Sequence, residues 1–131
     1  MTTDQARSVD LHLAAAALEQ AGDAIIAIDP DHTITLWNRH ATQLFGFTAE
    51  QAIGQQVDII IPENLREAHH RAADAAMARG SLASDGKARR TKALTADGGK
   101  TYVTMTFAMI KDAEDRTIGS VAVAREYVKE S

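Results

Sequence analysis

Cysteine is absent from this sequence of 131 residues, and its absence removes several kinds of functional site. Without thiols the chain cannot build a disulfide scaffold, a thiolate zinc site, an iron–sulfur cluster held by cysteine or a cysteine nucleophile. A metal site would have to use His, Asp, Glu or Met side chains. The sequence offers five histidines: His12, His32, His40, His69 and His70.

Positive charge and long apolar runs are also scarce. The net charge is -4, and the one cationic cluster, within residues 87–92, is short, so we expect no nucleic-acid partner. No apolar run approaches the ~18 to 20 residues of a membrane span. The first ten residues lack a basic segment leading into an apolar one, so they do not resemble a signal peptide. We therefore expect a cytoplasmic chain with no membrane association.

The apolar content is that of a single folded domain. Hydrophobic residues make up 45% of the chain, and 25 residues are alanine. The larger apolar side chains suffice for one modest core, which excludes a disordered chain.

The pattern of residues 9–21 predicts a helix that precedes the main domain. Leu11, Ala14, Ala15 and Leu18 recur at helical spacing, and Gly22 follows as a helix-ending residue. This apolar stripe could pack on a second copy of the chain as well as on its own domain. We therefore divide the chain into a flanking helix, residues 1–21, and a main domain, residues 22–128.

The main domain is predicted to contain a hairpin, several helices and three more strands. Asn38 and Thr48 are predicted helix N-caps, Gly46 a helix end, and Pro62 the start of the longest helix, which closes at 79–80. The predicted strands are 24–28, 33–37, 88–95, 100–110 and 117–127. This order favours an α+β fold, with a five-stranded antiparallel sheet and helices grouped on one face.

Four segments of the main domain, taken in order, resemble a PAS domain. They are DAIIAIDPDHTITLWNRHATQLFGFTAEQAIGQ (23–55), IPENL (61–65), ADGGKTYV (96–103) and GSVAVARE (119–126). The resemblance implies a sensory or interaction module of a kinase, cyclase, phosphodiesterase or transcription factor. PAS domains hold heme, flavin, a small metabolite or nothing. The lack of cysteine excludes the flavin–cysteinyl and cinnamoyl photoreceptor subclasses.

The segment PENLREAH (62–69) resembles the corresponding helix of heme PAS domains that sense oxygen, found in rhizobial sensor kinases and in a cyclic-di-GMP phosphodiesterase. The resemblance implies that His69 is the axial ligand of a b-type heme. It also implies that Arg89, eight residues before Asp97, contacts the bound gas (O2, CO or NO) or a heme propionate. The chain departs from the pattern at Lys87, where the phosphodiesterase uses a Met, and no second axial ligand is evident.

Helical spacing predicts an apolar stripe around His69. Leu65, His69, Ala72 and Ala76 recur at i, i+3 and i+4. Alanine fills little space, so the helix either packs very close to the sheet or leaves room for a planar cofactor. The predicted opposite wall consists of Met105, Phe107 and Ala122.

A divalent metal site on the same helix is not expected. His70 is turned about 100° from His69, so we expect these two side chains to diverge rather than bind one ion with Asp74.

Other functions stay open on the sequence alone. A lone histidine on an alanine-rich helix is more often structural than a ligand. The chain could be a cofactor-free PAS module that forms a homodimer through its N-terminal helix and relays signals to an effector domain or protein. It could also be a receptor that binds flavin or another small ligand without a covalent bond. No Ser–His–Asp order or phosphate-binding glycine loop is present, so we expect no enzymatic activity.

Overall fold

The computed structural model describes residues 10–82 and 87–128. The strands and helices follow the predicted order within those ranges. The helices are α1 (Leu11–Gln20), α2 (Arg39–Phe45), α3 (Ala49–Ala52), a 3-10 helix (Val57–Ile60) and α4 (Glu63–Arg79). The strands are β1 (Ala24–Ile28), β2 (Ile34–Trp37), β3 (Arg89–Leu94), β4 (Lys100–Lys111) and β5 (Thr117–Glu126).

The five strands form one antiparallel sheet in the order β2-β1-β5-β4-β3. The first and last strands of the chain therefore pair at the centre of the sheet, with Ile26 opposite Ala122. This is the α+β architecture that the sequence predicts. The loop predicted at 81–86 and the start of the first predicted helix, Val9, lie partly or wholly outside the described residues.

The predicted helix ends are confirmed where local chemistry sets them. The Asn38 side chain accepts a hydrogen bond from the Ala41 amide, and α2 ends at Gly46 with a φ of 87°. Thr48 and Gln51 form the predicted capping box of α3. Gly80 ends α4 in the left-handed conformation that glycine adopts at low cost.

The core lies on one face of the sheet. Val103 and Met105 of β4 and Ala124 of β5 point to this face, since alternate strand residues share a side. Phe45 of α2 and Ile60 of the 3-10 helix pack against them. The helices from α2 to α4 therefore cover this face.

Helix α4 crosses the covered face from one end of the sheet to the other. Its first turn borders an open groove of about 610 Å³, which Leu94 and Lys100 also line. Its last residue is followed by Gly80, where an added Cβ would lie 3.3 Å from Lys111 Nζ and from Thr117 Oγ1. The helix thus runs from the β3–β4 turn to the β4–β5 turn, and it packs on β5 along the way.

Helix α1 is joined to the domain mainly at its end. Asp10 caps its start by accepting from the Leu13 amide, and none of the residues of α1 is buried. Leu11 and Leu13 expose 78% and 64% of their surface. The Leu18 carbonyl accepts a hydrogen bond from the buried Asn38 side chain. Among the described helices, none has the length and apolar character to span a membrane.

Candidate functional site

The rotation of α4 about its own axis decides which side chains face the sheet. Arg66 Nε donates to the Ile61 carbonyl at 3.0 Å, and His70 Nε2 lies 2.6 Å from Asp58 Oδ1. Both contacts join the helix to the preceding segment and the 3-10 helix. Ala76 is fully buried, and Met77 packs against the core.

Two predicted pocket residues on α4 are therefore misplaced by the sequence pattern. Leu65 is 38% exposed and Ala72 is exposed, so neither lines the interior. The inward stripe instead passes through Arg66 and Ala73, one residue further along. The helix is turned by a fraction of a turn because Arg66 and His70 engage the segment before it. His69 and Ala76 keep inward positions in either arrangement.

The predicted opposite wall is assembled on the covered face of the sheet. Met105 is buried, and Phe107 and Ala122 are half-buried neighbours packed against the core. Phe107 and Ala122 are directly paired across β4 and β5. Neither side chain is fully buried.

Arg89 lies at the edge of this wall. It is the first residue of the edge strand β3 and pairs with Met105, so both side chains belong to the covered face. Arg89 itself is exposed, as is Lys87 just before it. The structure therefore places a cation at the rim of the apolar wall rather than inside it.

His69 carries a polar atom without a partner. Its Nδ1 is buried and has no hydrogen bond among the described residues, although the residue as a whole is half-buried. Burial lowers the pKa of His69, and the nearby His32 and His70 lower it further, while Asp58 opposes them. A neutral imidazole with a nitrogen lone pair is the form that binds metals.

The ring of His69 belongs to a cluster of three imidazoles. One ring nitrogen each of His32, His69 and His70 lie within 4.8 Å of one another. The ring centroids of His32 and His70 are 4.6 Å apart, and that of His69 is 6.2 and 6.1 Å from them. The expectation that His69 and His70 diverge from a common site is therefore wrong. His32 joins them from the β1–β2 turn and gives both rings a shared neighbour.

The sequence contains no signal that places His32 in this cluster. His32 follows a turn in which the Asp29 carboxylate accepts from the amides of Asp31 and Thr33. His32 has a left-handed backbone with a φ of 67°, and it is only 5% exposed. Its ring lies beneath α4, where Nε2 is 2.7 Å from Asp74 Oδ1. This contact spans 42 residues of sequence, so only the tertiary fold brings it about.

The lowered pKa of His69 predicts a pH dependence of stability. Because the pKa of this imidazole is lower in the folded protein than the ordinary value near 6.5, the unfolded chain binds the proton more readily as the pH falls. The free energy of unfolding should therefore fall as the pH drops from 7 to 5, and His69→Gln should flatten that fall. Urea denaturation at several pH values measures the effect. The exposed His12→Gln is the control, and equal slopes for wild type and His69→Gln would contradict the prediction.

The residues present fit a heme group in their chemistry. His69 offers a neutral imidazole with an unpartnered nitrogen, Phe107 and Ala122 offer a partly uncovered apolar wall, and Arg89 offers a cation at its rim. Ala76 is fully buried, so at this position α4 packs closely on the rest of the domain and leaves no gap.

Comparison with known proteins identifies relatives of the whole domain. The family model described as "PAS fold" matches residues 13–126. The chain is 27% identical over 110 residues to the oxygen sensor protein DosP of Escherichia coli K12. That alignment covers 84% of this chain and 14% of DosP. The chain therefore spans about one-seventh of the length of this relative.

Solved structures share the fold at low sequence identity. The PAS domain of a protein from Colwellia psychrerythraea superposes with a TM-score of 0.76 at 23% identity, covering 89% of this chain and 96% of that one. A light-oxygen-voltage domain, whose structure concerns a flavin analogue, superposes with a TM-score of 0.69 at 15% identity. It covers 93% of this chain and 89% of that one. At these identities the likeness concerns the fold alone.

Proposed function

The chain belongs to the PAS family of sensory domains, and from this premise we propose that it senses a diatomic gas or a redox state through a b-type heme bound by His69. The observation that carries the proposal is the buried, unpartnered Nδ1 of His69 on the helix that covers the sheet. The similarity to the oxygen sensor DosP supports a diatomic gas as the sensed ligand. The proposed role is binding and relay rather than catalysis.

Each part of the site has a role in this proposal. When bound, heme iron supplies a position for O2, CO or NO and a change of oxidation state. His69 holds the iron, and the apolar surfaces of Met105, Phe107 and Ala122 exclude water from the macrocycle. Arg89 donates hydrogen bonds to a propionate or to the bound gas, since a guanidinium favours anionic acceptors. Leu65 and Ala72, which lie outside, take no part.

The signal would leave the site through the centre of the sheet. Strand β5 lies next to both β4 and β1, and α4 packs on it. The start of β1 is held by Asn38, whose side chain also holds the end of α1. A shift of α4 or β5 would thus reach α1, the segment that we propose relays the signal to a partner copy or effector.

Titration with hemin tests the proposed ligand. We expect wild type to bind hemin saturably with a sharp Soret band, and His69→Ala to lose it. His70→Ala is the matched control, because it changes the neighbouring histidine of the same helix and should keep the band. Equal Soret spectra and affinities for wild type and His69→Ala would overturn the assignment. A yellow protein that releases flavin on denaturation would favour the flavin alternative.

A second proposed role, dimerisation through α1, is favoured by the exposure of its leucines. None of the residues of α1 is buried, and Leu11 lies on the stripe with Ala14, Ala15 and Leu18. Leu11→Glu should convert a dimer into a monomer, because it places a charge in the apolar interface. Leu13→Glu, about 200° around the helix, is the control and should leave the dimer intact. Sedimentation measures the state, and a dimer that survives Leu11→Glu would contradict this role. Dimerisation through α1 is equally compatible with the alternative function, a PAS module that binds no cofactor.

A further inference from the structure

The three-histidine cluster has the donors of a metal centre that does not depend on heme. His32 comes from the β1–β2 turn, and His69 and His70 come from consecutive positions on α4. One nitrogen from each ring lies within 4.8 Å of the others. Two elements far apart in the chain thus bring together three imidazole rings, each of which can donate a nitrogen lone pair to a metal ion.

Two carboxylates support the cluster from outside. Asp74 Oδ1 lies 2.7 Å from His32 Nε2, and Asp58 Oδ1 lies 2.6 Å from His70 Nε2. A carboxylate on one ring nitrogen orients the imidazole and makes it a better donor, which is the usual outer arrangement around metal-binding histidines. Each of these two rings has a second nitrogen for an ion.

The cluster without an ion has an unmet cost. His69 Nδ1 is buried with no partner in the described part of the chain, so it lacks the hydrogen bond that a buried polar atom usually makes. A cation that accepts three lone pairs at once gives this nitrogen a partner.

We propose that His32, His69 and His70 bind a divalent first-row transition cation of the Zn2+ class, with one ring nitrogen each. When three imidazole nitrogens each lie about 2.0 Å from a tetrahedral ion, the nitrogens lie roughly 3.3 Å from one another. The three rings must therefore move closer together by small side-chain rotations. The fourth position is left for water or an exogenous ligand. The site goes beyond the proposed heme, which needs His69 alone. Because His69 is shared, the ion and the heme exclude each other.

Binding of Zn2+ to the full chain, stripped with chelator and free of heme, tests the proposal. We expect a single tight Zn2+ per chain, measured by competition with a chromophoric chelator, and a rise in melting temperature. His32→Asn should weaken binding by more than the about 10- to 100-fold that loss of an outer partner of a ligand costs, and it should remove the rise. Asparagine tolerates the left-handed backbone of this position, so the turn should persist. His70→Ala is a second variant that leaves the turn untouched.

Two controls make the outcomes decisive. The exposed His12→Ala should bind Zn2+ as wild type does, and bound Co2+ should give the intense visible bands of a tetrahedral nitrogen site. Equal Zn2+ affinity in wild type, His32→Asn and His70→Ala would overturn the proposal, as would an equal loss in His12→Ala. Hemin binding by His32→Asn separates the two proposals. If hemin binding is normal in this variant while Zn2+ fails to bind wild type, only the metal site is refuted. If wild type binds no hemin and its Zn2+ binding needs all three histidines, only the heme is refuted.

Discussion

Replacing His69 by glycine should abolish saturable heme binding, and added imidazole should restore it. The substitution removes the axial donor and leaves space at a half-buried position of α4, into which free imidazole fits. The loss should exceed the about 10- to 100-fold that removal of an outer partner of a metal ligand costs. The Soret band during hemin titration, with and without imidazole, is the measurement.

The control for this experiment is His70→Gly, which carries the same cost of about 1 kcal/mol for glycine inside a helix. It should bind heme as wild type does, with no response to imidazole. A wild-type Soret band in His69→Gly without imidazole would show that another residue holds the iron. Loss of the band in both variants would point to helix unfolding, which circular dichroism detects.

Replacing Asn38 by leucine should lower the free energy of unfolding by roughly 3 kcal/mol. The side chain is 2% exposed and uses its full hydrogen-bonding capacity. Its oxygen accepts from the amides of Ile25 and Ala41, and its nitrogen donates to the carbonyls of Leu18 and Asp23. Leucine has a similar volume but leaves these backbone groups without partners and α2 without its cap.

Urea denaturation of wild type and Asn38→Leu measures this loss. Asn64→Leu, at an exposed position of α4, is the control and should change the stability by less than about 0.5 kcal/mol. A loss below about 1 kcal/mol in Asn38→Leu would contradict the view that this side chain joins α1, β1 and α2. Because Asn38 holds the end of α1, the variant should also loosen α1, which faster amide exchange in residues 11–20 would report.

The sequence predicts the elements of this fold well because their ends depend on local chemistry. The Asn38 cap, the Thr48 capping box and the glycines at 46 and 80 act within a few residues, and all lie where predicted. The order of elements then limits the fold to an antiparallel sheet with helices on one face. The position of Met105, Phe107 and Ala122 on one face of the sheet was likewise predictable, since strand alternation places such residues on one side.

The orientation of α4 and the histidine cluster could not be predicted in the same way. Alanine occurs on several sides of α4, so periodicity alone does not fix which side is buried, and Leu65 and Ala72 were assigned to the wrong side. The contacts that set the rotation, Arg66 to Ile61 and His70 to Asp58, depend on the path of the chain before the helix. The approach of His32 to α4 depends on the packing of the first hairpin under a helix that follows much later.

Heme ligation by His69 is tested by the absorption spectrum of the full chain, purified from cells supplied with a heme precursor and then reduced under CO. We expect a Soret band that corresponds to a single heme per chain, shifts on CO binding and is missing from His69→Ala prepared in parallel. A colourless wild-type protein that takes up no saturable hemin, or an identical band in His69→Ala, would contradict the assignment of His69 as the heme ligand of this PAS domain.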